Sequence, residues 1–202
     1  MPDFVPISPE ALCAAIVERG SPTLRREFAR YDIADPARWG NTEALVHHGP
    51  LTLHDGFTAT ALHTLILGDL FVEGCVDTDD GHDAGGLFVV IGNVECDQFI
   101  GHFGKCIFVD GNLEATQIIL NAFEDSALSV TGNLRTRFFY GWDMCGEVGG
   151  RAEMEYGHGY CLPFGYRDAI REAIHPRHDV ETSLRLLAVD KSGEDIMFEL
   201  VD

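Results

Sequence analysis

One short phrase recurs three times in the middle of the chain and constrains what it can fold into. The copies are Val90-Ile91-Gly92-Asn93-Val94, Val109-Asp110-Gly111-Asn112-Leu113 and Val130-Thr131-Gly132-Asn133-Leu134, with a fainter copy at Ile66-Leu67-Gly68-Asp69-Leu70. The glycines of the three clear copies are 19 and 21 residues apart. Apolar residues also match between copies: Phe88, Ile107 and Leu128 before the phrase, then Phe99, Ile118 and Phe139 after it. A repeat of about 20 residues is typical of stacked coils that share one core.

The repeat predicts a parallel β-helix over residues 46–150. Alternate residues of a strand face the same side, so Phe88 and Val90 point inward. Gly92 marks a tight bend that a side chain would obstruct, and Asn93 suits the unusual dihedral angles of a turn. The alternative is an antiparallel meander in which Gly-Asn forms a hairpin turn. The in-phase recurrence favours the β-helix and predicts two stacks in register: Val90, Val109 and Val130, and Val94, Leu113 and Leu134.

The flanking segments predict caps, so the fold is mainly β with α-helical caps and forms one structural unit. Ser8-Pro9, Ser21-Pro22 and Asp35-Pro36 each place a capping side chain before a proline, which signals a helix start and predicts a helical cap over residues 1–45. Such caps would cover the strand edges at a solenoid's ends. Residues 151–202 are predicted as an α/β cap, with a helix over 166–174, helical spacing of Leu184, Leu187 and Ala188, and a strand containing Ile196, Phe198 and Leu200.

Acidic residues are concentrated on the repeat. The chain has 33 acidic and 14 basic residues and a formal charge of −19, which opposes binding to nucleic acid or to anionic membranes. Between residues 50 and 134 one base, Lys105, stands against 13 acids: Asp55, Asp69, Glu73, Asp77, Asp79, Asp80, Asp83, Glu95, Asp97, Asp110, Glu114, Glu124 and Asp125. Glu95 and Glu114 share one repeat position, and Asp97 lies one coil from Thr116. The predicted partner is therefore a basic protein, with Glu95, Asp97, Asp110 and Glu114 as the binding residues.

A polar loop interrupts the repeat, because the interval between Gly68 and Gly92 grows to 24 residues. Its ligand-type side chains are Asp77, Asp79, Asp80, His82 and Asp83. Carboxylates could hold calcium, but the glycine and the final glutamate of an EF-hand loop are not at their required spacing. His102 could approach His82 and form a zinc or iron site with the carboxylates. We expect a solvated acidic turn, with no tightly bound metal and no cofactor.

Sequence signals for catalysis and for membrane insertion are weak. The chain has no Gly-x-Ser-x-Gly elbow and no His-Glu-x-x-His helix. Its six cysteines form no Cys-x-x-Cys pair, and Cys96 occupies the repeat position of Ala115 and Thr136, which favours packing over metal binding. The N-terminus lacks a basic cluster before an apolar segment, and no apolar run approaches about 18 residues. We expect a cytoplasmic protein.

The repeated Gly-Asn phrases resemble those of the bactofilin-type, polymer-forming β-helix proteins over residues 62–140. The resemblance implies a parallel β-helix and a non-enzymatic scaffold whose copies associate end to end. Helical caps at both ends would oppose such association. Three classes of function follow: an acidic protein-binding module, such as an inhibitor or immunity-type protein for a basic partner; a self-assembling scaffold; and a β-helix enzyme with an Asp/His site. The charge favours the first class and leaves open whether the chain forms a homo-oligomer.

Overall fold

The computed structural model describes residues 3–39, 42–79, 85–101, 104–121, 126–141, 144–158, 187–188 and 199–200. The chain opens with strand β1 (Val5–Pro6), helices α1 (Pro9–Arg19) and α2 (Pro22–Phe28), and two 3-10 helices, Asp32–Ala34 and Pro36–Arg38. The strands that follow are β2 (Ala44–His48), β3 (Leu51–Leu53), β4 (Phe57–Thr58), β5 (His63–Leu67), β6 (Leu70–Val72), β7 (Cys75–Asp77), β8 (Leu87–Val90), β9 (Val94–Gly101), β10 (Cys106–Val109), β11 (Leu113–Asn121), β12 (Ser126–Val130), β13 (Leu134–Gly141), β14 (Met144–Val148), β15 (Ala152–His158), β16 (Leu187–Ala188) and β17 (Glu199–Leu200).

Strands β2 to β15 form a parallel β-solenoid of about five turns. Each coil contributes one strand to a first sheet, ordered β1-β2-β5-β8-β10-β12-β14, and then crosses to a second sheet, ordered β15-β13-β11-β9-β6-β3. Strands β4 and β7 pair with each other beside the second sheet, and β7 also pairs with β9. The pairs recorded among β2 to β15 are parallel. The predicted mainly β solenoid is confirmed, and the antiparallel meander is excluded.

The two predicted stacks of repeat residues are in register. Val109 pairs with Val90 on one side and with Val130 on the other. Leu113 likewise pairs with Val94 and with Leu134. All six side chains are buried in the core of the solenoid. Matching phrases therefore occupy matching coil positions.

One predicted match is displaced by a single residue. Ile119, not Ile118, pairs with Phe99 and Phe139, because the register of β11 shifts between Ala115 and Ile118. The extra residue in β11 turns Ile119 into the lumen. Ile118 is also fully buried, but it pairs with the outward-facing positions of the neighbouring coils.

Glycine occurs in the phrase because successive coils approach closely at this corner. A Cβ atom on Gly111 would lie 2.4 Å from the carbonyl oxygen of Gly92, and one on Gly132 would lie 2.6 Å from that of Gly111. Gly111 and Gly132 do not have positive φ angles. Lack of space between coils, rather than backbone conformation, therefore requires glycine at these two positions, as the predicted obstruction implies.

The asparagines of the phrase form a ladder of hydrogen bonds along the solenoid. The Oδ1 atom of Asn93 accepts the backbone N–H of Asn112 at 3.0 Å, Asn112 accepts that of Asn133 at 2.8 Å, and Asn133 accepts that of Arg151 at 2.8 Å. Asp69 occupies the same place in the fainter copy and accepts the N–H of Asn93 at 2.7 Å. Asparagine thus links one coil to the next, a role that differs from the predicted one of adopting unusual dihedral angles.

The central strands of the first sheet are buried on both faces. Phe88 and Val90 point into the lumen, whereas Val89 and Phe108 point outward and pack against the two helices. The helices contribute Leu12, Cys13, Ile16, Leu24 and Phe28 to this second core. Burial on both faces explains why β8 and β10 read as continuous apolar runs instead of alternating ones.

Helices α1 and α2 therefore lie along the side of the solenoid, and the predicted helical cap over its end is not confirmed. Both helices do begin as predicted, because the hydroxyls of Ser8 and Ser21 accept the backbone N–H groups of Ala11 and Leu24. The third signal, at Asp35, starts only a 3-10 helix. The apolar stripes of α1 and α2 pack on the first sheet because its outer face is apolar too.

The C-terminal part departs from the sequence prediction in two respects. The parallel strands continue through β15 to His158, beyond the predicted solenoid boundary at residue 150. Strands β16 and β17 pair antiparallel, with Leu187 opposite Leu200. Leu200 lies in a strand as predicted, while Ile196 and Phe198 lie outside the described residues. Leu187 and Ala188 also lie in a strand, so their helical spacing was misleading. The helix predicted over 166–174 lies outside the described residues.

Candidate functional site

The predicted acidic residues meet on the outer face of the second sheet. Glu114 on β11 pairs in register with Glu95 on β9, and Glu95 pairs with Phe71 on β6. Paired positions on adjacent strands are about 4.8 Å apart, so the two carboxylates form a short column of like charge. Glu95 and Phe71 are exposed, and Phe71 keeps 40% of its surface accessible. An exposed ring beside a carboxylate column suits a partner with both apolar and cationic groups.

A shallow depression of about 190 Å³ lies within this surface. Its lining includes Phe71, Glu73, Glu95, Asp97, Glu114 and Thr116. We call these six residues the acidic face. Phe71 and Glu73 were not among the predicted binding residues, although the fainter phrase copy aligns Leu70 with Val94 and so places Phe71 beside Glu95.

Asp97 belongs to the acidic face, but both of its oxygens are already bound. Oδ2 accepts the backbone N–H of Gly74 at 3.0 Å, and Oδ1 accepts the hydroxyl of Thr116 at 2.8 Å. The predicted proximity of Asp97 and Thr116 is thus confirmed. Asp97 contributes its negative charge to the surface while holding three successive coils together.

Asp110 does not join the other predicted binding residues. Its Oδ2 atom accepts the backbone N–H of Ser21 at 2.6 Å, and its Oδ1 atom accepts the hydroxyls of Ser21 at 2.6 Å and of Thr131 at 2.9 Å. Ser21 is the N-cap of α2. Asp110 therefore attaches α2 to the solenoid, and a carboxylate there is favoured by the partial positive charge of the helix N-terminus.

Basic residues limit the acidic face on the following coil. Arg135 on β13 pairs in register with Glu114 and forms an ion pair with it at 3.3 Å. Arg137 lies two residues further along the same strand. Both arginines lie just after residues 50–134, the range in which 13 acids stand against one base. The acidic face therefore spans the coils that contain β6, β9 and β11.

A buried carboxylate on α2 binds two arginines, Arg26 on the helix and Arg30 just after its end. Glu27 is buried and accepts hydrogen bonds from Arg26 at 2.9 Å and Arg30 at 2.5 Å, and Arg30 also bonds Glu147 of β14 at 2.8 Å. Burial alone would raise the pKa of Glu27, but the hydrogen bonds from Arg26 and Arg30 outweigh burial and lower that pKa below its usual value. These contacts fasten α2 to the first sheet.

The residues considered for metal binding and catalysis are only partly described. Asp77 caps its own loop by accepting the backbone N–H of Asp79 at 3.0 Å, while residues 80–84 and His102 lie outside the described residues. Among the residues that the structure describes, no group of three His, Cys, Asp or Glu side chains is placed to hold a metal ion.

The described cysteines include several with low thiolate character. Burial raises the pKa of Cys13 and of Cys106 to about 11, and that of Cys75 to about 12. Cys96 is buried in the lumen, and burial raises its thiol pKa well above the usual value. Cys96 pairs in register with Ala115, which pairs with Thr136 as predicted. A protonated thiol is a poor nucleophile. Cys13 and Cys96 lie in the two apolar cores, and Cys106 packs against one of them, so these three cysteines act as packing residues.

Fold and site together define a parallel β-solenoid with helices on one sheet and an acidic face on the other. No protein-family model, curated protein or solved structure matches the chain. In the described ranges no helix has the length and apolar character that crossing a bilayer requires.

Proposed function

We propose that this protein is a non-enzymatic protein-binding module whose acidic face engages a basic partner protein, in the manner of an inhibitor or immunity-type protein. The observation that carries the proposal is the exposed column formed by Glu95 and Glu114 with Phe71 beside it. The formal charge of −19 adds a long-range field of the same sign. Such a field steers a cationic partner and mainly raises the association rate.

The members of the acidic face have different roles in this proposal. Glu95 is exposed and pairs in register with Phe71 and Glu114, so it is the central contact. Glu114 shares its charge with Arg135 through an exposed ion pair, and exposed pairs are weak enough for a partner's cation to replace Arg135. Asp97 stays bound to Gly74 and Thr116 and supplies charge only. Phe71 offers a ring face to an arginine or lysine of the partner.

Affinity capture with charge-reversed variants tests the proposal. The full chain is immobilised, and proteins retained from a lysate of its own cells are identified at low and at high salt. The double variant Glu95→Lys/Glu114→Lys should lose the basic proteins that the wild type retains. The matched control Glu18→Lys/Glu43→Lys changes the net charge equally at exposed positions away from the acidic face and should retain them. Recovery of only acidic or neutral proteins would contradict the proposal. Retention that does not change with salt or with the charge reversals at Glu95 and Glu114 would contradict it too.

A further inference from the structure

The two sheets end differently at the first coil. In the first sheet, β1 pairs antiparallel with β2, with Val5 opposite Val46 and Pro6 opposite Leu45. Pro6 has no N–H group and so discourages a further strand beyond β1. In the second sheet, β3 is the terminal strand, and among the described strands it pairs only with β6. One sheet edge is thus covered by the chain itself, whereas within the described ranges no strand covers the other, which we call the open edge.

The open edge presents a backbone donor and a backbone acceptor to solvent. The N–H of Leu51 donates to Asp69 at 2.8 Å, and the carbonyl of Leu53 accepts from Glu73 at 2.8 Å, so both residues use their polar groups on β6. In a parallel ladder the residue between two such residues directs its N–H and C=O to the opposite side. That residue is Thr52, which is exposed. A chain in extended conformation is the ligand that satisfies both groups of Thr52.

A cavity of about 380 Å³ lies at this same end, at the mouth of the lumen. Its apolar wall includes Phe4, Leu45, Leu53 and Phe57. The rest of the lining is formed by Gly56 and by the hydroxyl-bearing Thr58, Thr60 and Thr64. The Phe57 ring lies 6.0 Å from Phe4 and 5.9 Å from Phe88, between centroids. An apolar side chain placed in this cavity would continue the column of core residues toward the N-terminal end.

We propose that the open edge of β3 binds an extended segment of a partner protein by β-strand addition, with one apolar side chain of that segment inserted into the mouth cavity. Backbone hydrogen bonds to Thr52 supply the affinity, and the cavity selects the anchoring side chain. The edge adjoins the acidic face, because Thr52 pairs in register with Phe71. The backbone groups of Thr52 and the mouth cavity are not part of that face, so this inference does not depend on the proposed function.

The charge near the edge favours a foreign segment over a second copy of this chain. The exposed Asp55 and Asp69 and the exposed side chain of Glu73 lie on the coils next to the edge. Pairing two copies through their β3 strands would bring these carboxylates together at the junction, which is unfavourable. A segment with lysine or arginine beside its apolar anchor complements the same charges.

Selection of random heptapeptides displayed on phage against the immobilised full chain tests this inference. Enriched peptides should share one apolar anchor residue with lysine or arginine beside it. Fluorescence anisotropy should show saturable binding of the labelled synthetic peptides. N-methylation of alternate peptide amides removes backbone donors and should weaken binding at least about tenfold. Failure to enrich any peptide, or equal binding of the N-methylated forms, overturns the inference.

Two substitutions locate the peptide on the protein. Thr52→Pro removes the N–H that faces solvent and should abolish binding, whereas Thr52→Val keeps that N–H and should bind like the wild type. Leu53→Ala enlarges the cavity and should change the preferred anchor to a larger side chain. Equal peptide affinity of Thr52→Pro and Thr52→Val overturns the inference. Loss of peptide binding in Glu95→Lys/Glu114→Lys would assign the peptide to the acidic face and would also overturn the inference. A dimer of the free chain that dissociates on Thr52→Pro would make a second copy the occupant and would also overturn it.

Discussion

Replacing Gly111 by alanine tests whether close contact between coils dictates the repeated phrase. The added methyl would lie 2.4 Å from the carbonyl oxygen of Gly92 and 2.7 Å from its carbonyl carbon. The coils cannot separate freely, because Asp110 donates its backbone N–H to Val90 at 2.8 Å and Gly132 donates to Gly111 at 2.8 Å. Overpacking of this kind costs about 1–3 kcal/mol. Lower entropy of the unfolded chain offsets about 0.4–1 kcal/mol of that cost.

We therefore expect Gly111→Ala to lower the free energy of unfolding by about 1.3 kcal/mol and the melting temperature by about 3–5 °C, measured by urea and thermal denaturation. Gly49→Ala is the matched control. Gly49 has a φ angle of 94°, but a Cβ atom there would meet nothing within 4 Å, so the control measures backbone strain of about 1 kcal/mol alone. Gly111→Val should be more damaging still. If Gly111→Ala proves no less stable than Gly49→Ala, the close approach of the coils does not explain the phrase.

Three further predictions follow from the contacts. Asp110→Ala should lower the free energy of unfolding by about 2 kcal/mol in urea titrations, because it leaves the N-cap of α2 at Ser21 without its carboxylate partner; an effect below about 0.5 kcal/mol would contradict that role. Because the pKa of Glu27 is lowered in the folded state, its contribution is present above the usual glutamate pKa and is lost as pH falls through the folded pKa. The stability advantage of wild type over Glu27→Gln should therefore shrink in acid melts, and an advantage unchanged by pH would refute it. Calcium or zinc should leave the melting temperature unchanged, and a rise that disappears when the carboxylates between Asp77 and Asp83 are changed to amides would establish a metal site there.

The register of the solenoid could be predicted because the copies of the phrase have the same internal spacing, which fixes which residues face inward. The one-residue shift in β11 could not be predicted, because Ile118 and Ile119 are both apolar and either side chain could point into the lumen. The sequence does carry a signal for the position of the helices. The adjacent apolar residues Phe88 and Val89 indicate a strand buried on both faces, which requires a cover on the outer side of the first sheet. The helices supply that cover.

The candidate site was predictable only where repeat positions carry it. Glu95 and Glu114 follow from aligning the phrases, and Phe71 follows from aligning the fainter copy. The attachment of Asp110 to Ser21 could not be inferred, because it joins residues 89 positions apart and depends on where α2 packs. The pairing of Arg135 with Glu114 follows from the same alignment, because each residue comes directly after a matched leucine, Leu134 or Leu113.

The most direct test of the proposed function is the association rate of the captured partner as a function of salt, measured by surface plasmon resonance. The wild-type rate should fall steeply between low and physiological salt, because screening acts beyond about 8 Å. Glu95→Lys/Glu114→Lys should associate about tenfold more slowly than both the wild type and Glu18→Lys/Glu43→Lys, with an unchanged melting temperature. Equal association rates for the two double variants, or a wild-type rate indifferent to salt, would contradict binding through the acidic face.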